Sequence, residues 1–218
     1  HKILISYSKN DLKNLMNVSD KIAELNYNRF KTWEDPSNSK TSKQAIYAFK
    51  GDVYSGLDAE SIEEDKFDYL QNSLRIISGY YGLLRPFDQI LPYRLEMGTK
   101  LENKNGNNLY KFWGDKITDV LNEDLDTNDI IVNLASDEYF KSINRGKIKS
   151  KIITPVFKEF KNGLYKVIAI YAKKARGLMS RFLIERKSNS IDDIKLFNID
   201  GYSFDSNLSN DSQLVFTR

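Results

Sequence analysis

Apolar residues recur at three- and four-residue steps from Asp11 to Phe30. Leu12, Leu15, Met16, Ile22, Ala23 and Leu25 fall on one stripe, and the spacing predicts a helix. The same period predicts helices over Thr41–Leu57, Ile62–Leu74 and Asn108–Leu125, the last with Leu109, Phe112, Trp113, Ile117, Val120 and Leu121 aligned. Short apolar runs at Lys2–Ser6 (KILIS) and Asp129–Ala135 (DIIVNLA) read as buried strands, the second followed by Ser136 and Asp137 as cap candidates. From Lys151 to Tyr171 two β-rich runs, IITPVFKEF and LYKVIAIYA, flank Lys161-Asn162-Gly163. An Asn-Gly pair between such runs predicts a hairpin. Helical period returns over Ala172–Arg186, and the chain ends in short strands at Tyr202–Phe204 and Leu214–Thr217. Strands and helices mix without regular βαβ alternation. The expectation is one α+β domain over residues 1–218, a central sheet with helices around it.

Composition narrows the function. At 218 residues, 40% apolar and 29% charged, the chain reads as globular. No apolar run approaches the roughly 18 residues of a membrane span, and Ile3–Ile5 is too short for a signal peptide. Cysteine is absent and His1 is the only histidine. That removes disulfides, thiolate catalysis, Ser-His pairs and Cys or His metal sites. Catalysis would fall to Asp, Glu, Lys, Tyr, Ser or Arg, and neither a metal nor a cofactor is expected.

Charge is unevenly spread. The net charge is only +3, yet Lys141–Lys187 carries fourteen Lys and Arg against Glu159 and Glu185. A focused basic segment in a near-neutral chain points to a polyanion. On a helical projection Ala172, Ala175, Leu178, Met179, Phe182 and Leu183 form an apolar face. Lys173, Lys174, Gly177 and Arg181 fall opposite, with Arg176 and Ser180 on the border. Such a helix would offer a basic strip to phosphates, and Gly177 would allow close approach; a solvated surface face is the plainer alternative.

Arg75–Gly98 (RIISGYYGLLRPFDQILPYRLEMG) is a shaped, cationic and aromatic connection. Arg85 and Arg94 could hold phosphate while Tyr80, Tyr81 and Tyr93 stack on bases. The turn Ser78, Gly79 to Gly82 could meet phosphate with backbone N–H groups, or its glycines could merely permit the turn. Two further clusters, Asp52 and Tyr54 in AFKGDVYSGL and Asp137 and Tyr139 in NLASDEYF, are candidates for acid–base work or a base pocket, with capping as the alternative.

AFKGDVYSGL, LRIISGYYGLLRPFDQILPYRLEMG, LYKFWGD, NLASDEYF, YAKKARGLMSRF, GYSF and LVFTR together, from about Leu15 to Arg218, resemble the YaaA family of peroxide stress resistance proteins. The resemblance implies a cytoplasmic bacterial protein that limits iron-dependent peroxide damage. It further implies DNA binding, duplex or branched, largely without sequence preference. An unusual α+β fold with a positively charged cleft and a helix-hairpin-helix element is implied as well. Carried onto this chain, the hairpin would lie at Ser78–Gly82, and the cleft charge would come from Lys173, Lys174, Arg176 and Arg181. Family members place more chain between the first strand and the helix at Asp11, so a segment near residues 6–8 is expected to be missing here. The rival readings are an enzyme acting on DNA or a nucleobase-like substrate in a pocket beside the cleft, and an iron-sequestering protein. The second is disfavoured by the lack of Cys and internal His.

Overall fold

The periodic stretches fold as helices, and left-handed or capping residues divide three of them. The structure, a computed structural model, describes residues 1–126 and 128–218. The helix expected over Asp11–Phe30 is two helices, Lys9–Met16 and Asp20–Lys31. Asn17 turns left-handed at φ 50°, and Ser19 caps the second helix. Gly114, at φ 53°, divides Leu109–Trp113 from Lys116–Glu123. Gly51, at φ 124°, stands between Ala45–Ala48 and Asp52–Leu57, where one helix over Thr41–Leu57 was expected. Of Ile62–Leu74 only Phe67–Ser73 is α-helical.

Lys2–Ser6 is not a strand. Leu4–Ser6 forms a 3-10 turn whose carbonyls are used locally and by Lys31 Nζ, which donates to Ile5 O at 2.8 Å. The following helix begins in a capping box. Asp11 N–H donates to Ser8 Oγ at 3.2 Å, and Ser8 N–H donates to Asp11 Oδ2 at 2.8 Å.

The α+β class holds, and the described residues group into two compact units. One comprises residues 1–48, 75–123 and 136–147. Its core buries Leu12, Phe30, Leu109 and Ile117 from helices and Met97 from a turn. Its strands are short and antiparallel: Lys43–Gln44 pairs with Gln89–Ile90, and Ile76–Ser78 with Gly82–Leu84.

The other unit comprises residues 49–74, 124–135 and 148–218 and holds the larger sheet. Lys151–Lys161 lies between Ile130–Val132 and Gln213–Thr217, parallel to both, and Ser203–Asp205 runs antiparallel on the far side of Gln213–Thr217. Helix Ala169–Glu185 lays Ala172, Ala175 and Met179 against Ile153, Phe157, Leu214 and Phe216. The expected hairpin is present. Asn162 and Gly163 both take positive φ, 55° and 77°, as the two-residue turn demands. Its second strand, Leu164–Lys166, stops early because it pairs only with Lys151–Lys161, and the helix begins at Ala169 instead of Ala172. No helix among the described residues is long and apolar enough to cross a membrane.

Candidate functional site

In the first unit the Ser78–Gly82 segment is the turn of a β-hairpin. Its flanks are the strands Ile76–Ser78 and Gly82–Leu84, where a helix-hairpin-helix would need helices. The turn is closed from within. Ser78 Oγ accepts Tyr80 N–H at 3.2 Å and Tyr81 N–H at 2.8 Å, and shares a 2.5 Å hydrogen bond with Tyr93 OH. Those are the N–H groups a phosphate would need. Gly79 is buried and has no room for a side chain: a Cβ there would sit 2.4 Å from Leu95 O, and one on Gly82 would sit 2.9 Å from the Trp113 ring. Trp113 Nε1–H braces the turn further by donating to Gly79 O at 3.1 Å.

Tyr80, Tyr81 and Tyr93 pack on one another with centroids 4.9 to 5.4 Å apart. Phe30 lies against Tyr80 at 5.9 Å, and Leu91 N–H donates to Tyr81 OH at 3.0 Å. The three rings expected to stack on bases therefore form part of this unit's own packing. Half-buried Arg85 opens the next turn, its N–H donating to Asp88 Oδ2 at 2.8 Å.

Arg94 is exposed and pairs with Glu96 at 2.6 Å, beside an open cavity of about 580 Å³. Asn14, Asn17, Arg94, Glu96, Lys100 and Glu138 supply most of its polar lining. Gly98 N–H donates to Glu138 Oε1 at 2.8 Å, and Tyr110 OH donates to Glu138 O at 2.9 Å, which fixes that residue on the wall. Asp137 is exposed in the first turn of Asp137–Phe140. Ser136 stands at the N-cap, but its hydroxyl makes no capping bond. Burial, with Glu138 and Glu96 nearby, pushes the Tyr139 phenol up to about 12. At neutral pH Tyr139 is a hydrogen-bond donor and no base. The sequence patterns singled out residues 137 and 139, whereas the cavity wall is Glu138 with Glu96 and Lys100. The turn of about 100° between successive helical side chains, which sets Glu138 on a different side from its two neighbours, is the signal that would have found it.

In the second unit the short helix Asp52–Leu57 packs on the long helix Ala169–Glu185. Asp52 is exposed in its first turn, and Tyr54 stacks on Phe49 at 5.5 Å. The close approach that Gly177 permits is made by this helix: a Cβ on Gly177 would fall 1.9 Å from Val53 O. Gly177 is thus buried, where the projection placed it on an open basic face.

Arg181 is committed to the same junction. Its Nη1 donates to Asp58 O at 2.8 Å and Ser61 Oγ at 2.7 Å, its Nη2 donates to Ser61 O at 2.9 Å, and its Nε pairs with Glu185 at 2.6 Å. Lys173 and Lys174 are exposed, Lys174 reaching Asp200 only at 3.9 Å, and Arg176 is half-buried. Toward the hairpin, Lys161 and Lys166 are exposed too. Glu159, the one acid in that stretch, is held by Arg218 Nε at 2.9 Å and by Tyr202 OH. The surface therefore presents lysine, with Glu159 engaged by Arg218 and Asp200 shared between Arg218 and Lys174. No group of three or more His, Cys, Asp or Glu among the described residues is placed to hold a metal ion.

A family model described as "Peroxide stress protein YaaA" matches residues 1–208. A UPF0246 protein of Idiomarina loihiensis is 53% identical over 213 residues, which cover 97% of this chain and 83% of that protein. A UPF0246 protein of Aliivibrio fischeri strain MJ11 is 53% identical over 210 residues, covering 95% of this chain and 81% of that protein.

Proposed function

This chain belongs to the peroxide stress protein YaaA family, and we propose that it serves the peroxide response by binding DNA in the cytoplasm, largely without sequence preference. One observation carries the reading: the second unit exposes Lys161, Lys166, Lys173 and Lys174, with Glu159 neutralised by Arg218. Lysines on phosphates release condensed cations. Iron is one such cation, so a coated backbone would hold less of it where peroxide reacts, which links the basic surface to protection.

In this reading Lys173, Lys174 and Arg176 contact phosphates, and Arg181 sets the helix that presents them. Arg85 and Arg94 of the first unit offer further cations, after the turn shaped by Ser78, Gly79 and Gly82. Phosphate contacts of this kind position DNA without reading its sequence. The test is duplex affinity across a salt series for the wild type and for Lys173→Glu/Lys174→Glu. The expected result is a weaker complex whose log–log salt slope is shallower by about two. Duplex binding unchanged in the variant would overturn the assignment.

The cavity beside Arg94 and Glu138 supports a second reading. Its volume lies within the roughly 300–1,000 Å³ of small-molecule sites. With cations and carboxylates on one wall, it would take a polar, nucleobase-like molecule, with Tyr139 and Asp137 close by. In the second unit Asp52 and Tyr54 are the matching candidates. A thermal-shift screen with nucleobases and nucleosides tests this, and no shift with any of them would retire it.

A further inference from the structure

The hairpin and the start of the long helix expose an unusual run of apolar surface. Phe160, Leu164, Tyr165, Val167, Ile170 and Tyr171 are each between 43% and 61% exposed, and they make up six of the eleven large apolar side chains that face solvent among the described residues. Contiguous apolar exposure of this kind marks an interaction site more often than chance. The charged residues interspersed with them, Lys161 and Lys166, and those that follow, Lys173 and Lys174, are all cationic.

Two of the three aromatic rings form a pair, and the third is braced from beneath. Phe160 and Tyr165 are cross-strand partners with centroids 5.1 Å apart. Tyr171 lies over the Arg218 guanidinium at 5.0 Å, and the same guanidinium lies over the buried Tyr202 ring at 4.6 Å. Arg218 is itself held by Glu159 and by Asp200, at 2.8 Å to Asp200 Oδ2, and its carbonyl accepts Phe160 N–H at 2.8 Å. Tyr171 is therefore the outer ring of a fixed stack, with nearly half of its surface open. A ring already immobilised loses little freedom when something stacks on it.

We propose that Phe160, Tyr165 and Tyr171 form a stacking platform for unpaired nucleotides, with Lys161, Lys166, Lys173 and Lys174 tracking the phosphates between them. The inference rests on the DNA-binding reading above and deepens it by naming the form of nucleic acid. Flat apolar rings interleaved with cations match a partner that offers flat π-faces and anions at short intervals. A single strand presents both, whereas a closed duplex hides its base faces.

The experiment uses the whole chain and fluorescent oligonucleotides of equal length: a single strand, a perfect duplex, and a duplex with a run of unpaired bases. Affinities are read at low salt, and again at high salt, where phosphate attraction fades and stacking persists. The variants are Phe160→Ser/Tyr165→Ser and, separately, Tyr171→Ser, each checked for an unchanged circular dichroism spectrum. The expected result is a loss of about tenfold or more for the unpaired substrates per ring removed, with duplex affinity kept.

Equal losses on duplex and single strand, or none on either, would overturn the platform while leaving DNA binding standing. Wild type that binds no DNA of any form would sink the DNA reading itself. Binding to vesicles of anionic lipid, or a concentration-dependent dimer, that the variants abolish would assign the patch to a membrane or a second copy and overturn the proposal.

Discussion

Gly56 and Gly177 cross backbone to backbone. A Cβ on Gly177 would lie 2.9 Å from Gly56 Cα and 1.9 Å from Val53 O, and one on Gly56 would lie 2.3 Å from Lys174 O. Both obstacles are main chain, so relief requires two helices to move apart. Ala at a helix interior position ordinarily gains about 1 kcal/mol over Gly. Overpacking of a close contact costs typically 1–3 kcal/mol and occasionally more, and an overlap this deep belongs at the upper end. Gly177→Ala is expected to destabilise by about 3 kcal/mol in urea unfolding. A neutral or stabilising result would mean that the helices do not cross at these residues.

Arg181 separates architecture from DNA contact. Its donors reach Asp58 O and Ser61 O just past the end of the Asp52–Leu57 helix, where Asp58 O also accepts Ser61 N–H and Ser61 Oγ. Arg181→Met keeps the aliphatic stem and removes those bonds. The charge-assisted bonds and partial burial set the expected loss at about 2 kcal/mol of stability. The folded variant should retain the duplex salt slope of the wild type within experimental error. A slope that falls by about one, with stability unchanged, would instead mark Arg181 as a phosphate ligand.

Local physics decided which parts of this fold could be read from sequence. The hairpin at Asn162-Gly163 was legible because two adjacent residues with positive φ suffice to make it. The helical periods were legible as well, but their true ends depended on single residues such as Asn17 and Gly51, which interrupt a period without erasing it. Gly177 was misread because its partner, Gly56, lies far away in sequence, and a projection of one helix cannot show what covers it. The tyrosines of Arg75–Gly98 were read as a binding surface from composition alone. Their packing on Phe30 and Ser78 is again a long-range fact. The exposed rings at 160–171 lay in a segment read as the two β-rich runs of a hairpin, a pattern that does not say which face is left uncovered.

Gly98 offers a contrast with Gly177. A Cβ there would fall 3.0 Å from Glu138 Oε1, the far end of a flexible side chain. The carboxylate can swing aside at the cost of its hydrogen bond from Gly98 N–H. Gly98→Ala is therefore expected to cost only about 1 kcal/mol, far less than Gly177→Ala, and to loosen the cavity wall. If nucleobases or nucleosides stabilise the wild type in the thermal-shift screen, that stabilisation should shrink in Gly98→Ala. A cost as large as that of Gly177→Ala would show that Glu138 is fixed more rigidly than its exposure suggests.

Alkaline stability should report Tyr139. Its phenol is raised by burial and by the nearby Glu138 and Glu96 charges, up to about 12 against an unfolded value of about 10. The folded state thus holds this proton more tightly than the unfolded chain. A raised value contributes stability that is fully present below the unfolded pKa and is lost as pH climbs through the folded one. The window for this group is from about pH 10 to about pH 12. Tyr80 and Tyr202 are shifted in the same direction, mainly by burial, so the wild type should lose stability steeply above pH 10. Tyr69 and Tyr110 are raised by burial as well, and Tyr139→Phe removes one of these contributions. Its urea midpoint should fall less than that of the wild type between pH 9 and pH 11.5, while at pH 7 the two should differ only by the lost hydrogen bond to the Met97 backbone. Identical alkaline slopes in the two proteins would place the Tyr139 hydroxyl in water and away from the Glu138 and Glu96 carboxylates.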